Sequence, residues 1–174
     1  MIKQIQEPSA AMGGGDVIAG LAMIPAVLGA ILFLIWNYRL YKNTFALGAT
    51  SLSYNPGFVA ASQLIPFVCF FTPYLALRQV WQATAPEREM AASGGNAHRV
   101  HVTMLLNIWW GFNVLAMLTA GAFILSGSYD GPDQSLKLIM RTFSIVSSIF
   151  GIFVIKALTR RQDARYAEAA AALG

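Results

Sequence analysis

The chain is poor in charge. Only 11% of its 174 residues are Asp, Glu, Lys or Arg, against about 25% in an ordinary soluble domain. A soluble protein of this length needs a charged skin around its core, and there is too little here to make one. Cysteine is almost absent: Cys69 stands alone, which excludes an internal disulfide and any cysteine cage for zinc. Carboxylates are missing from the long apolar stretches, and intramembrane acids are the usual mark of proton-coupled transport. Those stretches also hold no grouping of acid, base and nucleophile, so nothing supports hydrolytic catalysis. The expectation is a protein that is not an enzyme and carries no cofactor. The net charge of +4 comes without a basic stripe interleaved with aromatics, so nucleic acid is not an expected partner.

What is present is apolar length. A helix that crosses a bilayer takes about 20 mostly apolar residues. Residues 17–38, VIAGLAMIPAVLGAILFLIWNY, carry no charge and form the first expected span. Residues 57–77 form the second, 102–125 the third and 138–155 the fourth. The fourth is interrupted by Arg141, whose guanidinium can snorkel to the nearer surface. The first run is too long for a secretory h-region, and Lys3 is offset by Glu7 and Asp16, so it reads as a retained helix. The predicted fold is therefore an all-α integral membrane protein with four transmembrane helices. Residues 1–16 form a flexible N-terminal segment, 17–158 the transmembrane domain and 159–174 a cytoplasmic helical tail. In that tail Arg160 with Asp163, and Arg165 with Glu168, fall at helical i,i+3 spacing.

The second stretch carries Pro56, Pro66 and Pro73. A proline at the first helical position costs nothing, because that N–H has no partner anyway. Pro66 and Pro73 each remove a backbone hydrogen bond and predict kinks. Lipid cannot satisfy the freed carbonyls, so this face is expected against protein or a wet cavity. A straight-through span is preferred, since 21 residues at about 1.5 Å each cross the hydrocarbon unaided. The alternative is three spans plus a re-entrant hairpin broken near Pro66.

Basic residues set the orientation. With four spans, eight of the twelve Lys and Arg lie on the side of the termini and four opposite. With a hairpin, nine share the C-terminal side and three the other, and the N-terminus lies outside. Both readings put the C-terminus of a multi-pass membrane protein in the cytoplasm.

The stretches WNYRLYKNTFAL (36–47), NPGF (55–58), Pro66 and PYLALRQVW (73–81) resemble the family called domain of unknown function 4328, found in bacterial membrane proteins. NIWWGFNVL (107–115) resembles it more loosely. Phe58 stands where the pattern usually has tryptophan, and Cys69 where it has asparagine. The resemblance implies a multi-span membrane fold and no established reaction.

Several residues are singled out by chemistry. Gln63, Asn107 and Asn113 are amides within apolar spans, where such groups bond to neighbouring helices or line a polar cavity. They are the candidate ligand-binding residues, with Gln63 and Asn113 preferred as cavity contacts because both could meet the kinked face. His98 and His101 could share a metal at i,i+3, but two ligands do not make a site and no metal is expected. Ala22, Ala26 and Ala30 in the first span, and Ser144, Ser147, Ser148 and Gly151 in the fourth, are small residues at helical spacing that read as packing seams. Pro25 reads as a simple kink. Trp36, Tyr38, Tyr41, Tyr74, Trp81 and Tyr129 fit an interfacial aromatic belt, and Trp109 and Trp110 read as packing bulk.

The expected partners are the lipid bilayer and other membrane proteins or a second copy. The expected function is that of an accessory or assembly subunit, or a homo-oligomeric module, of a membrane complex. The alternative is a small-solute or lipid-binding pore or carrier built on the kinked second helix.

Overall fold

The computed structural model describes residues 14–125 and 134–171, with side chains from residue 21 onward except at 22, 23 and 26. Of the flexible segment expected over 1–16, residues 1–13 lie outside the described residues, as do Tyr129 and the side chains of Ala22 and Ala26, whereas residues 14–16 already belong to a helix.

The first helix, α1, runs from Gly14 to Ala46 with Pro25 inside it. Its end is fixed by Gly48, at φ +82°. There Gly48 N–H donates to Phe45 O at 3.0 Å and Ala49 N–H to Thr44 O at 3.3 Å. This paired closure of the last carbonyls needs a left-handed residue, which glycine supplies without a Cβ clash.

The stretch expected as one kinked span is instead two limbs. Helix α2 covers Pro56–Ala61 and continues as a 3-10 turn over Ser62–Leu64. A second 3-10 turn at Val68–Phe70 leads into α3, Thr72–Ala83. The limbs meet at 109°. Pro56 opens α2, behind Asn55, whose Oδ1 accepts from Gly57 N–H at 2.7 Å. Pro66 sits exposed at the bend, whereas Pro73 is buried in the first turn of α3. The two prolines therefore do not act as paired kinks sharing one protein-packed face.

The carbonyls at the bend find partners within the turn itself. Ile65, Pro66, Phe67 and Val68 accept from Cys69, Val68, Phe70 and Phe71 N–H groups at 2.8–3.2 Å. Packing against another helix is thus not required of them. Phe67, at φ 64° and ψ −42°, is the centre of a γ-turn, a strained conformation for a residue with a side chain.

Both limbs return to one place. Ser53 N–H donates to Gln79 Oε1 at 3.0 Å. The Tyr41 hydroxyl donates to the same oxygen at 2.7 Å and accepts from Tyr54 N–H at 3.0 Å. A chain that leaves this point at residue 54 is back at residue 79, so the segment forms a hairpin. Its tip presents Leu64, Ile65, Phe67 and Phe71, all exposed.

The linker expected over 84–99 is ordered as α4, Glu87–Ala92, and a 3-10 turn at Ala97–Arg99. Helices α5, Met104–Leu125, and α6, Gln134–Ala171, are long and apolar enough to cross a membrane. The bent pair counts as a third candidate only if read as one span, so the structure supports two to three such elements rather than a clear four. α5 and α6 pack antiparallel: Phe112 stacks on Phe150 with centroids 5.9 Å apart, and Trp109 lies against Gly151.

On α6, Ser147, Gly151, Val154, Leu158 and Gln162 are buried. The spacing of four, three, four and four residues makes one stripe along the helix. A Cβ on Gly151 would stand 3.0 Å from Trp109 Nε1, so glycine allows this approach. The upper part of the stripe meets a core of Leu40, Tyr41, Val59, Ala76, Leu77, Val80 and Leu106. Spaced mostly three and four apart, Pro73, Ala76, Leu77 and Val80 form the face α3 turns to that core.

Candidate functional site

The polar chemistry of the molecule is gathered where the end of α1, the hairpin, α4 and the start of α5 meet α6. Gln162 on α6 donates to Leu40 O at 2.6 Å and to Thr44 Oγ1 at 2.7 Å. The preceding residue, Arg161, grips Glu89 of α4 with both ends of its guanidinium, at 2.8 and 3.1 Å. The same guanidinium donates to Trp81 O at 3.2 Å and lies 4.0 Å over the Trp81 ring. The planar fork of arginine suits both the bidentate pair and the stacking, which an ammonium could not match. The Arg161 hydrogen bonds hold the Glu89 carboxyl below its ordinary range, against the opposing effect of partial burial. Past the apolar run of α1, burial pushes the Tyr41 phenol up. Its hydroxyl thus stays protonated as the donor to Gln79.

α3 also fixes the stretch that leads into α5. Gln82, 4% exposed, donates to His98 O at 3.1 Å and Val100 O at 3.2 Å. Trp81 Nε1 donates to His101 O at 3.2 Å. Between α3 and this stretch lies a groove of about 370 Å³ that takes in Tyr74, Arg78, His98, Arg99, His101 and Asn107. No carboxylate lines it. Arg99 and His101 also line an adjoining cavity of about 680 Å³, whose one carboxylate, Glu89, is the one held by Arg161.

Of the residues expected to bind a ligand, Asn107 reaches the groove. Its Oδ1 accepts from Tyr74 OH at 2.7 Å, which leaves the amide nitrogen as a donor. Gln63 lies on the other limb of the hairpin, its Nε2 buried without a partner among the described residues. Asn113 is half-buried, further along α5. His98 belongs to the 3-10 turn and His101 to the irregular stretch after it, so they do not share a helical turn. Among the described residues no three His, Cys, Asp or Glu side chains gather as metal ligands.

Among the small residues, Ser147 and Gly151 lie in the seam within the chain, while Ala30, Ser144 and Ser148 are exposed. Ser144 and Ser148 direct their hydroxyls to carbonyls of their own helix, at 2.9 and 2.8 Å. Trp81 and Tyr41, expected as belt aromatics, are also members of the polar network.

These features define an all-helical protein with two or three elements fit to cross a membrane and a polar lock where the remaining segments meet. A family model matches residues 6–164, and the chain belongs to that family, described as Domain of unknown function (DUF4328). No curated protein and no solved structure matches it.

Proposed function

We propose that this chain is a non-enzymatic, multi-pass module of the bacterial inner membrane. It works by assembling with other membrane proteins or with a second copy of itself. In this reading α1, α5 and α6 cross the bilayer, and the hairpin dips its apolar tip into the leaflet on the side of the lock. With the hairpin re-entrant, nine of the twelve basic residues would share the side of the C-terminus, which supports a cytoplasmic C-terminus.

The observation that carries the assembly reading is on α1. Val27, Leu28, Gly29, Ala30, Ile31 and Leu32 are all exposed. A helix completes a turn in about 3.6 residues, so no face of this stretch is covered by the described residues of its own chain. Lipid tolerates apolar exposure, but a span is held in place by van der Waals contact with other helices. A helix from a partner would supply that contact.

The test is a cysteine scan of residues 27–32 in a Cys69→Ser background in native membranes, with oxidative crosslinking, beside mass measurement after mild extraction. Crosslinking that recurs with helical period, or a mass above one protomer, is expected. A lone protomer at every concentration, with no crosslink and no co-extracted membrane protein, would remove the reading. For the alternative, a pore or carrier, Asn107 in the groove is the supporting contact.

A further inference from the structure

We infer that the groove between α3 and the start of α5 binds a phosphate-bearing anion at the depth of lipid headgroups. Arg78 and Arg99 approach it from two different segments, with His98 and His101 beside them. Neither arginine is in an ion pair with a described residue. A pocket with two guanidinium groups and no carboxylate is short of negative charge, and the guanidinium fork matches phosphate oxygens two at a time. Asn107 contributes a neutral donor, since Tyr74 occupies its oxygen.

The groove is also built in advance. The buried Gln82 amide and the Trp81 indole pin the carbonyls of His98, Val100 and His101 to α3. The loop carrying Arg99 is therefore held in place before any ligand arrives.

Depth follows from the hairpin. Phe71, 67% exposed, ends the apolar tip. Arg78 lies seven residues further along, about 10 Å at the rise of a helix. With the tip among acyl chains, Arg78 stands at the level where phosphates sit. The anion is the phosphate of a membrane lipid or a free phosphate, and the test separates the two.

The full chain is placed in phosphatidylglycerol nanodiscs, phosphatidylcholine nanodiscs, and a neutral detergent with inorganic phosphate titrated in. Binding is read by lipid retained in native mass spectrometry and by thermal shift. Saturable binding in at least one of the three arms, weakened at least tenfold by Arg78→Gln with Arg99→Gln, is the expected result. Arg88→Gln, an exposed arginine on α4 outside the groove, is expected to change it less than twofold. Retention of phosphatidylglycerol without a response to inorganic phosphate assigns the site to lipid; the reverse assigns it to free phosphate.

Both altered arginines are exposed, so helicity by circular dichroism should be unchanged. Asn107→Asp, which puts a carboxylate in the groove, should weaken binding comparably and serves as an independent variant. Equal losses from Arg88→Gln and the double variant would mean diffuse surface charge and would overturn the proposal. So would the absence of saturable binding in every arm.

Discussion

Where α6 meets α1, the hairpin and α4, segments distant in sequence interlock through side chains. Tyr41 reaches Gln79, Gln162 reaches Thr44, and Arg161 reaches Glu89 and Trp81. Away from this end the picture reverses. α1 from Val27 to Leu32 is left open on all sides by the described residues, and only 11% of the most apolar stretch of each of α5 and α6 is buried. In the proposed membrane reading, the difference follows from solvent. An apolar helix in lipid satisfies its own backbone and gains little from hiding side chains. Outside the hydrocarbon, irregular backbone must find partners, and burial of apolar surface is favourable again. One chain thus follows two sets of rules, and its architecture is decided mainly where the second applies.

The comparison is sharpest for two leucines, where the largest effect is expected. Leu158 is 0% exposed and Leu28 is 55% exposed. Leu158→Ala should cost about 3 kcal/mol through lost contact and the cavity left behind. Leu28→Ala should stay within about 0.5 kcal/mol. Unfolding of each variant in mild detergent, followed by circular dichroism, measures both. Equal costs would erase the distinction between the two regions.

A smaller effect is expected at Arg161. Arg161→Ala should cost about 2 kcal/mol. That is less than the roughly 3–5 kcal/mol of breaking a fully buried pair, because the Glu89 side chain is 46% exposed and can rehydrate. Arg161→Lys restores the charge but neither the fork nor the flat stacking on Trp81, so it should recover less than half of the loss. If lysine served as well as arginine, charge alone would hold this contact, and the lock would be no more specific than a surface ion pair.

Much of the fold was legible in the sequence. The uncharged runs 17–38 and 102–125 fall in α1 and α5, and the 138–155 run in α6. Arg165 and Glu168 pair at 2.9 Å as their spacing suggests. The prolines marked where the second stretch breaks but not how it returns. That depends on Tyr41 meeting Gln79 across 38 residues, and no local pattern encodes such a pairing. Arg161 and Glu89 lie 72 residues apart and were equally hidden, with the arginine one of a run at a helix end. Of the site, Asn107 was foreseen as a polar residue in an apolar helix. In the sequence Arg78 and Arg99 stand out only as orientation charges, since their convergence comes from the fold. A clue lay in the pairing of Trp81 and Gln82 beside Arg78, bulky donors at a helix end with no local acceptor to account for them.

The smallest expected effect concerns acidity at the lock. Because the folded state holds the Glu89 carboxyl below its ordinary value of 4.5, its contribution is fully present above that value. It is lost as pH falls through the lower folded-state pKa. Stability should therefore be flat around neutrality and decline below about pH 4.5, with a component that Glu89→Gln removes. The glutamate is partly open to solvent, so screening by about 1 M salt, where the Debye length is only about 3 Å, should shrink this component. Leu28→Ala should leave the pH dependence untouched. Unfolding midpoints of wild type, Glu89→Gln and Leu28→Ala between pH 3 and 7, at low and high salt, supply the comparison. If Glu89→Gln kept the full acid sensitivity, the loss would come from other carboxylates, and the Arg161–Glu89 contact would be a packing arrangement rather than an electrostatic one.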